Sequence, residues 1–237
     1  MSLAEINRSS IYTQGGFLFG IIFSVKEELK MVLTSPARPH EEIIKLIDAL
    51  RPLGEKVTVS ARRRIGWRTK ETSYLYLLLR GEMSVMRIAD GLLLGTTNQP
   101  HIFGFTEMFT PMQCNLLRAE TDCTLICVDV AQVVPEIDRL QLWQEVAKLC
   151  SWHTAGMLHR DLQIVNQRTP PVVHNYLLEL DQLPAERKYK VNILNYIQER
   201  TGLSRSSILN VITTLKRNNY IEYERGGYQL KINNLPD

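Results

Sequence analysis

The chain has 237 residues, of which 44% are hydrophobic and 22% are charged, and its formal net charge is +3. This length exceeds what one domain usually needs, so we expect two domains joined by a connecting element. A charge this small excludes binding of nucleic acid through overall charge alone, so any nucleic-acid surface must be local.

The four cysteines and the N-terminal apolar run indicate an ordinary cytoplasmic protein. No two of Cys114, Cys123, Cys127 and Cys150 form a CxxC pair, which disfavours a disulfide framework or a zinc site. The apolar run at residues 16–25 is shorter than the roughly 20 residues of a membrane-spanning helix. We therefore expect no membrane partner.

Residues 1–35 are expected to form an N-terminal extension. The codons of Lys26-Glu27-Glu28 can be purine-rich, as in a bacterial ribosome-binding site, and Met31 follows at a short distance. We hypothesise that translation begins at Met31. A peptide spanning residues 24–33 in protein made from the native gene would contradict this.

The next elements in chain order are one helix and a series of strands. Residues His40–Leu50 carry apolar side chains at helical spacing and predict a short amphipathic helix. From residue 55 to residue 130 the pattern changes to short β-type runs between turn residues, which predicts a barrel or sandwich. The predicted strands are Val57–Val59, Tyr74–Leu79, Met83–Ile88, Leu92–Thr97 and Thr124–Val128.

Residues 131–166 return to helical spacing and predict one long helix, ended by Pro170-Pro171. Its apolar face carries Leu142, Val146 and Leu149. A long helix that leaves a barrel needs a packing surface, and a second subunit is the economical one. The alternative is that the helix packs on its own barrel. A further helix is predicted over residues 172–183, ended by Pro184.

The C-terminal pattern is typical of a winged helix-turn-helix. Residues 191–200 predict a helix, Thr201-Gly202-Leu203 a tight turn, and residues 204–218 a second helix that Ser204 caps. Residues 220–223 and 228–232 flank a glycine turn and predict a two-stranded hairpin, the wing. The alternative is a helical pair whose hairpin merely packs.

The second of these helices is amphipathic, and its polar face suits DNA. The buried stripe is predicted to be Ile208, Val211, Ile212 and Leu215. Arginine and asparagine can read guanine and adenine, and hydroxyls and free N–H groups suit phosphates. The predicted DNA-binding residues are Ser204, Arg205, Ser206, Ser207, Asn210, Thr213, Arg217 and Arg225. The surrounding segment from residue 186 onward is modestly basic.

With these motifs the sequence resembles the Crp/Fnr superfamily, and within it the IprA (YaiV) type of winged-helix regulator, from about Met31 to the end. The residues that carry the resemblance are Gln141-Leu142-Trp143, Asn195-Tyr196-Ile197, Arg200-Thr201, Ser204-Arg205-Ser206, Asn219-Tyr220-Ile221-Glu222, Ile232-Asn233 and Leu235-Pro236. The resemblance implies an α+β fold with a cyclic-nucleotide-binding-like β-barrel (jelly roll), a long dimerisation helix and a winged helix-turn-helix. The implied boundaries are 36–131, 132–168 and 169–237.

The resemblance also implies roles and partners. Arg205, Ser206 and Asn210 fall where the superfamily reads bases, but the catabolite activator has Arg, Glu and Arg there, so a different operator is implied. The implied partners are double-stranded DNA, a second copy of the chain, RNA polymerase and a small-molecule effector of unknown identity.

The barrel departs from the cyclic-nucleotide binders of the superfamily. Those proteins have Gly-Glu after the cassette phenylalanine, and later an arginine for the cyclic phosphate. Here Phe105 takes the place of the acid, no arginine stands at the phosphate position, and Arg118 lies a few residues beyond it. We expect no tight cyclic AMP or cyclic GMP binding. The residues of this vestigial pocket are Phe103, Gly104, Phe105, Gln113, Cys114, Asn115 and Arg118.

Other chemistry receives little support from the sequence. The N-terminal cysteine cluster of the iron–sulfur branch is missing, so neither that cofactor nor haem is expected. Cys114 is the candidate for a reactive thiol, because Arg118 nearby could lower its pKa. His153 and His159 are six apart and so do not share a helix face, which disfavours a metal pair, and His101 is expected to be structural.

No enzyme motif and no ligand loop is found, so an enzyme is not expected. The run Arg62-Arg63-Arg64 with Arg68 is interpreted as a solvated strand edge, with contact to DNA flanks or an anionic ligand as the alternative. The sequence therefore predicts a dimeric DNA-binding regulator with a degenerate sensor barrel and a stress or redox role. The rival is a protein-interaction module that has lost specific DNA binding.

Overall fold

A computed structural model describes residues 36–69, 72–109 and 112–235. The expectations for residues 1–35, including the apolar run and the start at Met31, lie outside these residues. The described helices are α1 (His40–Leu50), α2 (Phe105–Phe109), α3 (Val130–Leu140), α4 (Trp143–Ile164), α5 (Thr169–Asp181), α6 (Ala185–Lys188), α7 (Ile193–Thr201) and α8 (Arg205–Arg217). None of them is both long and apolar enough to cross a membrane.

Eleven strands are described, and nine of them build the N-terminal domain. They are β1 (Glu55–Val59), β2 (Arg64–Ile65), β3 (Arg68–Thr69), β4 (Thr72–Arg80), β5 (Met83–Arg87), β6 (Leu93–Thr97), β7 (His101–Phe103), β8 (Asn115–Ala119), β9 (Cys123–Asp129), β10 (Ile221–Glu224) and β11 (Tyr228–Ile232). The five predicted strands are confirmed within two residues at each end. Strands β2, β3, β7 and β8 were not predicted from the sequence.

Two antiparallel sheets form the barrel. One has the order β1-β9-β4-β3 with β7 also paired to β4, and the other has the order β2-β8-β5-β6. The interior between the sheets is apolar, with Leu78 and Leu125 from the first sheet and Met83 and Leu117 from the second. This arrangement confirms the predicted barrel.

Around its central strands β4 and β9, the five-stranded sheet is buried on both faces. Side chains alternate across a strand, so Leu75 and Leu77 of β4 leave the barrel interior and pack against α1, α3 and α4. Ile43 and Leu46 of α1 and Leu149 of α4 complete this second core. Strand β4 is therefore a nearly continuous apolar run, as expected for a strand covered on both sides.

The prediction of one long connecting helix over residues 131–166 is wrong, because two helices, α3 and α4, occupy this range. Gln141 adopts a left-handed backbone (φ +54°) and ends α3, and α4 begins at Trp143. The N–H of Leu142 then donates to Ile137 O at 3.0 Å, a bond typical of a helix C-terminus that turns through a left-handed residue. Neither glycine nor proline marks this break, so the periodic pattern hid it.

The two halves of α4 have different surroundings. Val146 and Leu149 are buried against the barrel and α1, as in the alternative that the sequence left open. Farther along, Met157, Leu158 and Leu162 are more than half exposed. Helix α5 begins earlier than predicted, because Pro170 and Pro171 lie in its first turn, where a missing N–H costs nothing.

The winged-helix domain contacts its own barrel through charged side chains. Arg187 of α6 pairs with Glu82, in the turn between β4 and β5. Arg118 of β8 lies 3.4 Å from Glu199 of α7, and Arg160 of α4 donates to the carbonyl of Arg200 at 2.9 Å. These contacts join segments 40 to 105 residues apart, so periodicity could not predict them.

Candidate nucleic-acid interface

Helices α7 and α8 are joined by the tight turn that the sequence predicts. Gly202 takes a left-handed backbone (φ +69°), and its N–H donates to Gln198 O. Ser204 then caps α8, since its Oγ accepts the N–H of Ser207 at 3.1 Å. Glycine pays no steric penalty in the left-handed region, and serine is among the preferred caps. Local chemistry therefore fixes the angle between the two helices.

The buried face of α8 determines which face is presented to solvent. Ile208, Ile212 and Leu215 are at most 4% exposed and pack in one core with α5 and α7. Val211 packs beside them and is partly buried. The predicted apolar stripe is confirmed, so the polar side chains between these positions point outward.

The structure places all eight predicted DNA-binding residues on the surface of the winged-helix domain. Seven are exposed and Ser207 is half-buried. Within the described part of the chain, Arg205, Asn210, Thr213 and Arg217 make no side-chain hydrogen bond or ion pair. These side chains would therefore not have to break a contact with any described residue in order to bind another molecule.

Three serines cluster at the N-terminus of α8. The Oγ of Ser204 lies 3.0 Å from that of Ser206 and 2.8 Å from that of Ser207. The first N–H groups of any helix lack internal acceptors and carry a partial positive charge. Together with Arg205, this end of α8 is suited to bind an anionic backbone.

The wing is a hairpin of β10 and β11 that closes through Gly226 and Gly227, both with positive φ. Arg225 lies exposed at its tip. Two residues that the sequence analysis missed hold it in place. Asn192, before α7, donates to Gly226 O, and Lys216 of α8 donates to Tyr223 O and stacks on the Tyr223 ring. An asparagine before a helix is a capping signal, and here the capping residue Asn192 binds the wing as well.

The structure places the two phenylalanines of the predicted ligand pocket in different cores. Phe103 lies in the barrel interior, whereas Phe105 lies in the second core between the sheet and the helices. A small cleft nearby takes in only Gly104 and Gln113 from the predicted set. Trp67, Arg68, Ser73, Tyr74, Glu107 and Val130 line the rest of it. The side chain of Phe105 is therefore a structural element of the core.

Arg118 is not a spare cation beside that cleft. Its Nε lies 2.7 Å from Glu120 and its Nη2 lies 3.4 Å from Glu199. Partial burial lowers the pKa of the Arg118 guanidinium, but the hydrogen bonds and charges of Glu120 and Glu199 together outweigh it and raise that pKa. Neither of these two ion pairs involves Cys114.

The cysteines differ in exposure. Cys114 is exposed, and Asn115 Nδ2 lies 3.8 Å from its sulfur. Burial raises the pKa of Cys123, Cys127 and Cys150, which makes their thiolates scarcer. Because the thiolate is the reactive form, these three are poor candidates for oxidation.

A histidine pair that the sequence analysis missed joins β7 to α4. His101 Nε2 and His153 Nε2 lie 3.0 Å apart. Arg38 lies 3.5 Å from His101 Nδ1, and a guanidinium can only donate, so the proton of His101 sits on Nε2 and points at His153. Burial lowers the pKa of His101 to about 3, helped by the charges of His153 and Arg38, and burial lowers that of His153 to about 4. Both rings are neutral at neutral pH.

Comparisons with known proteins agree with this geometry. Residues 171–237 match a family described as winged helix-turn-helix DNA binding. The "Inhibitor of hydrogen peroxide resistance" of Salmonella typhimurium is 26% identical over 206 residues, which covers 86% of this chain and 99% of the relative. The c-di-GMP-responsive global regulator CLP of Xanthomonas campestris is 14% identical with a TM-score of 0.66, over 79% of this chain and 98% of that one.

A Crp/Fnr-family transcriptional regulator from Thermus thermophilus is 23% identical with a TM-score of 0.57. That similarity covers 75% of this chain and 93% of the solved chain, so it takes in both the barrel and the winged helix. The chain is therefore Crp/Fnr-like in fold, and it ends in a winged helix-turn-helix of the DNA-binding type.

Proposed function

We propose that the protein is a dimeric transcription regulator that binds a specific DNA sequence through α8 and does not respond to cyclic nucleotides. The observation that carries the proposal is the outward face of α8. Arg205, Asn210 and Thr213 are exposed there and have no partner within the described residues. An arginine and an asparagine on such a face suit the major groove, because they can form bidentate bonds to guanine and adenine.

The dimer rests on the second half of α4. Leu158 and Leu162 of α4 and Val165, the residue that directly follows α4, lie at spacings of four and three, so they form one stripe. Each is at least 55% exposed, which is unusual for a continuous apolar stripe on a soluble protein. A second copy would cover this stripe symmetrically and place two copies of α8 side by side for a palindromic operator.

The lack of response to cyclic nucleotides rests on the barrel. A cyclic phosphate needs a correctly aimed cation in a closed site. Arg118 is held by Glu120 and Glu199, and Phe105 is committed to the core. The effector is then some other signal, either a small molecule or oxidation of the exposed Cys114.

The biological role follows from the curated relative. Its name places it in the control of hydrogen peroxide resistance, and the similarity spans nearly its whole length. We propose the same role for this protein, namely repression of resistance to peroxide. Deleting the gene should then raise survival after a peroxide challenge, and complementation should reverse the effect. Unchanged survival would contradict this role without affecting DNA binding.

Selection of bound duplexes from a random DNA pool tests the molecular proposal. Purified protein at moderate salt, with reduced and with oxidised thiols, should enrich a palindrome whose half-sites are roughly one helical turn apart. If no motif is enriched with reduced thiols and none with oxidised thiols, the protein-interaction module is favoured instead. A motif found only in one redox state would implicate a thiol, and Cys114→Ser should then abolish the difference.

A further inference from the structure

The barrel carries one cluster of cations that the proposed function does not use. Arg62 and Arg63 lie in the connection between β1 and β2, Arg64 begins β2, and all three are exposed. None of the three forms an ion pair or a side-chain hydrogen bond within the described residues. The nearby carboxylate of Asp122 instead accepts the backbone N–H of Ala61 at 2.9 Å. We call Arg62–Arg64 the arginine turn.

The backbone of the arginine turn is fixed. The N–H of Arg62 donates to Ala119 O, and the N–H of Ala119 donates to Arg63 O at 2.9 Å. Arg62 has a left-handed backbone (φ +68°), which glycine or asparagine adopts more readily than arginine. A cation therefore occupies a position whose backbone favours another residue type, which suggests that its charge is used.

The position of the turn connects it to the DNA-binding domain. Arg64 is the cross-strand neighbour of Arg118 in the four-stranded sheet. Leu117 points into the barrel interior, so the adjacent Arg118, and Arg64 beside it, lie on the outer face. On that face Arg118 reaches Glu199 of α7, five residues before the cap of the recognition helix α8. Arg64, the last residue of the arginine turn, is thus the cross-strand neighbour of a residue that contacts the domain holding α8.

We infer that the arginine turn binds the phosphates of the DNA that flanks the half-site read by α8. This inference rests on the proposed function and adds a second, sequence-independent contact to it. Three unpaired guanidinium groups on a fixed turn suit a polyanion, and their neighbour Arg118 is already neutralised by two carboxylates. The turn would increase affinity for long duplexes and would leave the choice of sequence to α8.

The test compares a duplex that contains only the two half-sites with one that has about 20 additional base pairs on each side, roughly two helical turns. Wild-type protein should bind the longer duplex about tenfold more tightly at low salt. Its salt dependence on that duplex should be steeper by roughly 0.9 for each added phosphate contact. The variant Arg62→Gln/Arg63→Gln/Arg64→Gln should lose both differences and keep wild-type affinity for the short duplex.

Two further variants exclude trivial causes. Arg51→Gln/Lys56→Gln removes exposed charges before and at the start of β1, and it should keep the preference for the longer duplex. Arg62→Gly should unfold at a higher urea concentration than wild type, because it relieves the left-handed backbone, and yet lose part of the preference. A gain in stability with a loss in flank binding cannot result from damage to the fold.

Four outcomes would overturn the inference. Equal wild-type affinity for both duplexes would overturn the inference alone. Equal losses on both duplexes in the triple variant would assign the arginines to half-site binding or to the fold. Wild-type DNA binding by the triple variant, with loss of transcription in a purified system, would assign them to a protein partner. A wild type that distinguishes no sequence would overturn the proposed function, and the inference with it.

Discussion

At the scale of single residues, the buried pair of His101 and His153 makes stability depend on pH. Both pKa values lie below the ordinary value of 6.5, at about 3 and about 4. Above pH 6.5 neither the folded nor the unfolded chain binds a proton here, so the stability is fully present. Below pH 6.5 the unfolded chain binds protons that the folded chain does not, and stability is lost as the pH falls.

We therefore expect the free energy of unfolding in urea to fall between pH 7.5 and pH 5, by at most ~1.4 kcal/mol per pH unit for each histidine. The variant His153→Gln should flatten this dependence of the unfolding free energy on pH. Carboxylates titrate mainly below pH 5, so they contribute little to the change in unfolding free energy between pH 7.5 and pH 5. An identical slope in wild type and His153→Gln would contradict the prediction.

Arg205 is the residue on which sequence discrimination should depend most. Its side chain is exposed in the first turn of α8 and has no internal partner among the described residues. Arg205→Ala should cost about 1 to 3 kcal/mol of binding to the selected operator and relax specificity at one base pair of each half-site. Competition titrations with operators mutated at single positions measure this. An equal loss on every sequence would identify Arg205 as a phosphate contact.

At the scale of elements, the break between α3 and α4 gives a test of local backbone energetics. Gln141 adopts a left-handed conformation that glycine reaches without strain. Gln141→Gly should raise the free energy of unfolding by up to about 1 kcal/mol, because relief of the left-handed strain, roughly 1 to 2 kcal/mol, exceeds the entropic cost of glycine, roughly 0.5 to 1 kcal/mol. The matched control is Ala147→Gly, at an exposed site within α4, which should lower it by about 1 kcal/mol. Destabilisation by Gln141→Gly would mean that the glutamine side chain itself holds the break.

Sequence reasoning predicted elements with strong local signals. Periodicity bounds α1 at both ends, Gly202 marks the end of α7, and the Ser204 cap marks the start of α8. Three of the four strands that were not predicted have weak local signals: β2 and β3 have two residues each and β7 has three, so no period can be observed. Strand β8 has five residues, and its length does not explain why it was not predicted. The break at Gln141 was missed because a tertiary constraint, the burial of Leu142, holds a residue type that does not mark a turn.

At the scale of the whole molecule, one part of the candidate site could be predicted from the sequence and another part could not. The polar face of α8 could be predicted because it is the complement of a periodic buried stripe. The vestigial pocket could not, because the partners of Arg118 and the core position of Phe105 come from distant parts of the chain. The contact of His101 with His153 likewise joins residues 52 apart in sequence.

The proposed dimer depends on the exposed half of α4. Leu158→Glu/Leu162→Glu places charges in the stripe, and burying them in a symmetric interface would be costly. We expect this variant to sediment as a monomer and to bind a single half-site weakly. Ile88→Glu, at an exposed apolar residue of the barrel, should stay dimeric. A monomeric wild type would contradict the dimer, and a dimeric variant would place its interface elsewhere.

The measurement that tests the central claim most directly is the ratio of two affinities for DNA. Purified protein is titrated with its selected palindrome and with a scrambled duplex of the same length and composition, at physiological salt. A specific regulator should prefer the palindrome by roughly a thousandfold or more and bind it as two chains per duplex. Equal affinity for the two duplexes, with the same salt dependence, would contradict sequence-specific recognition by α8.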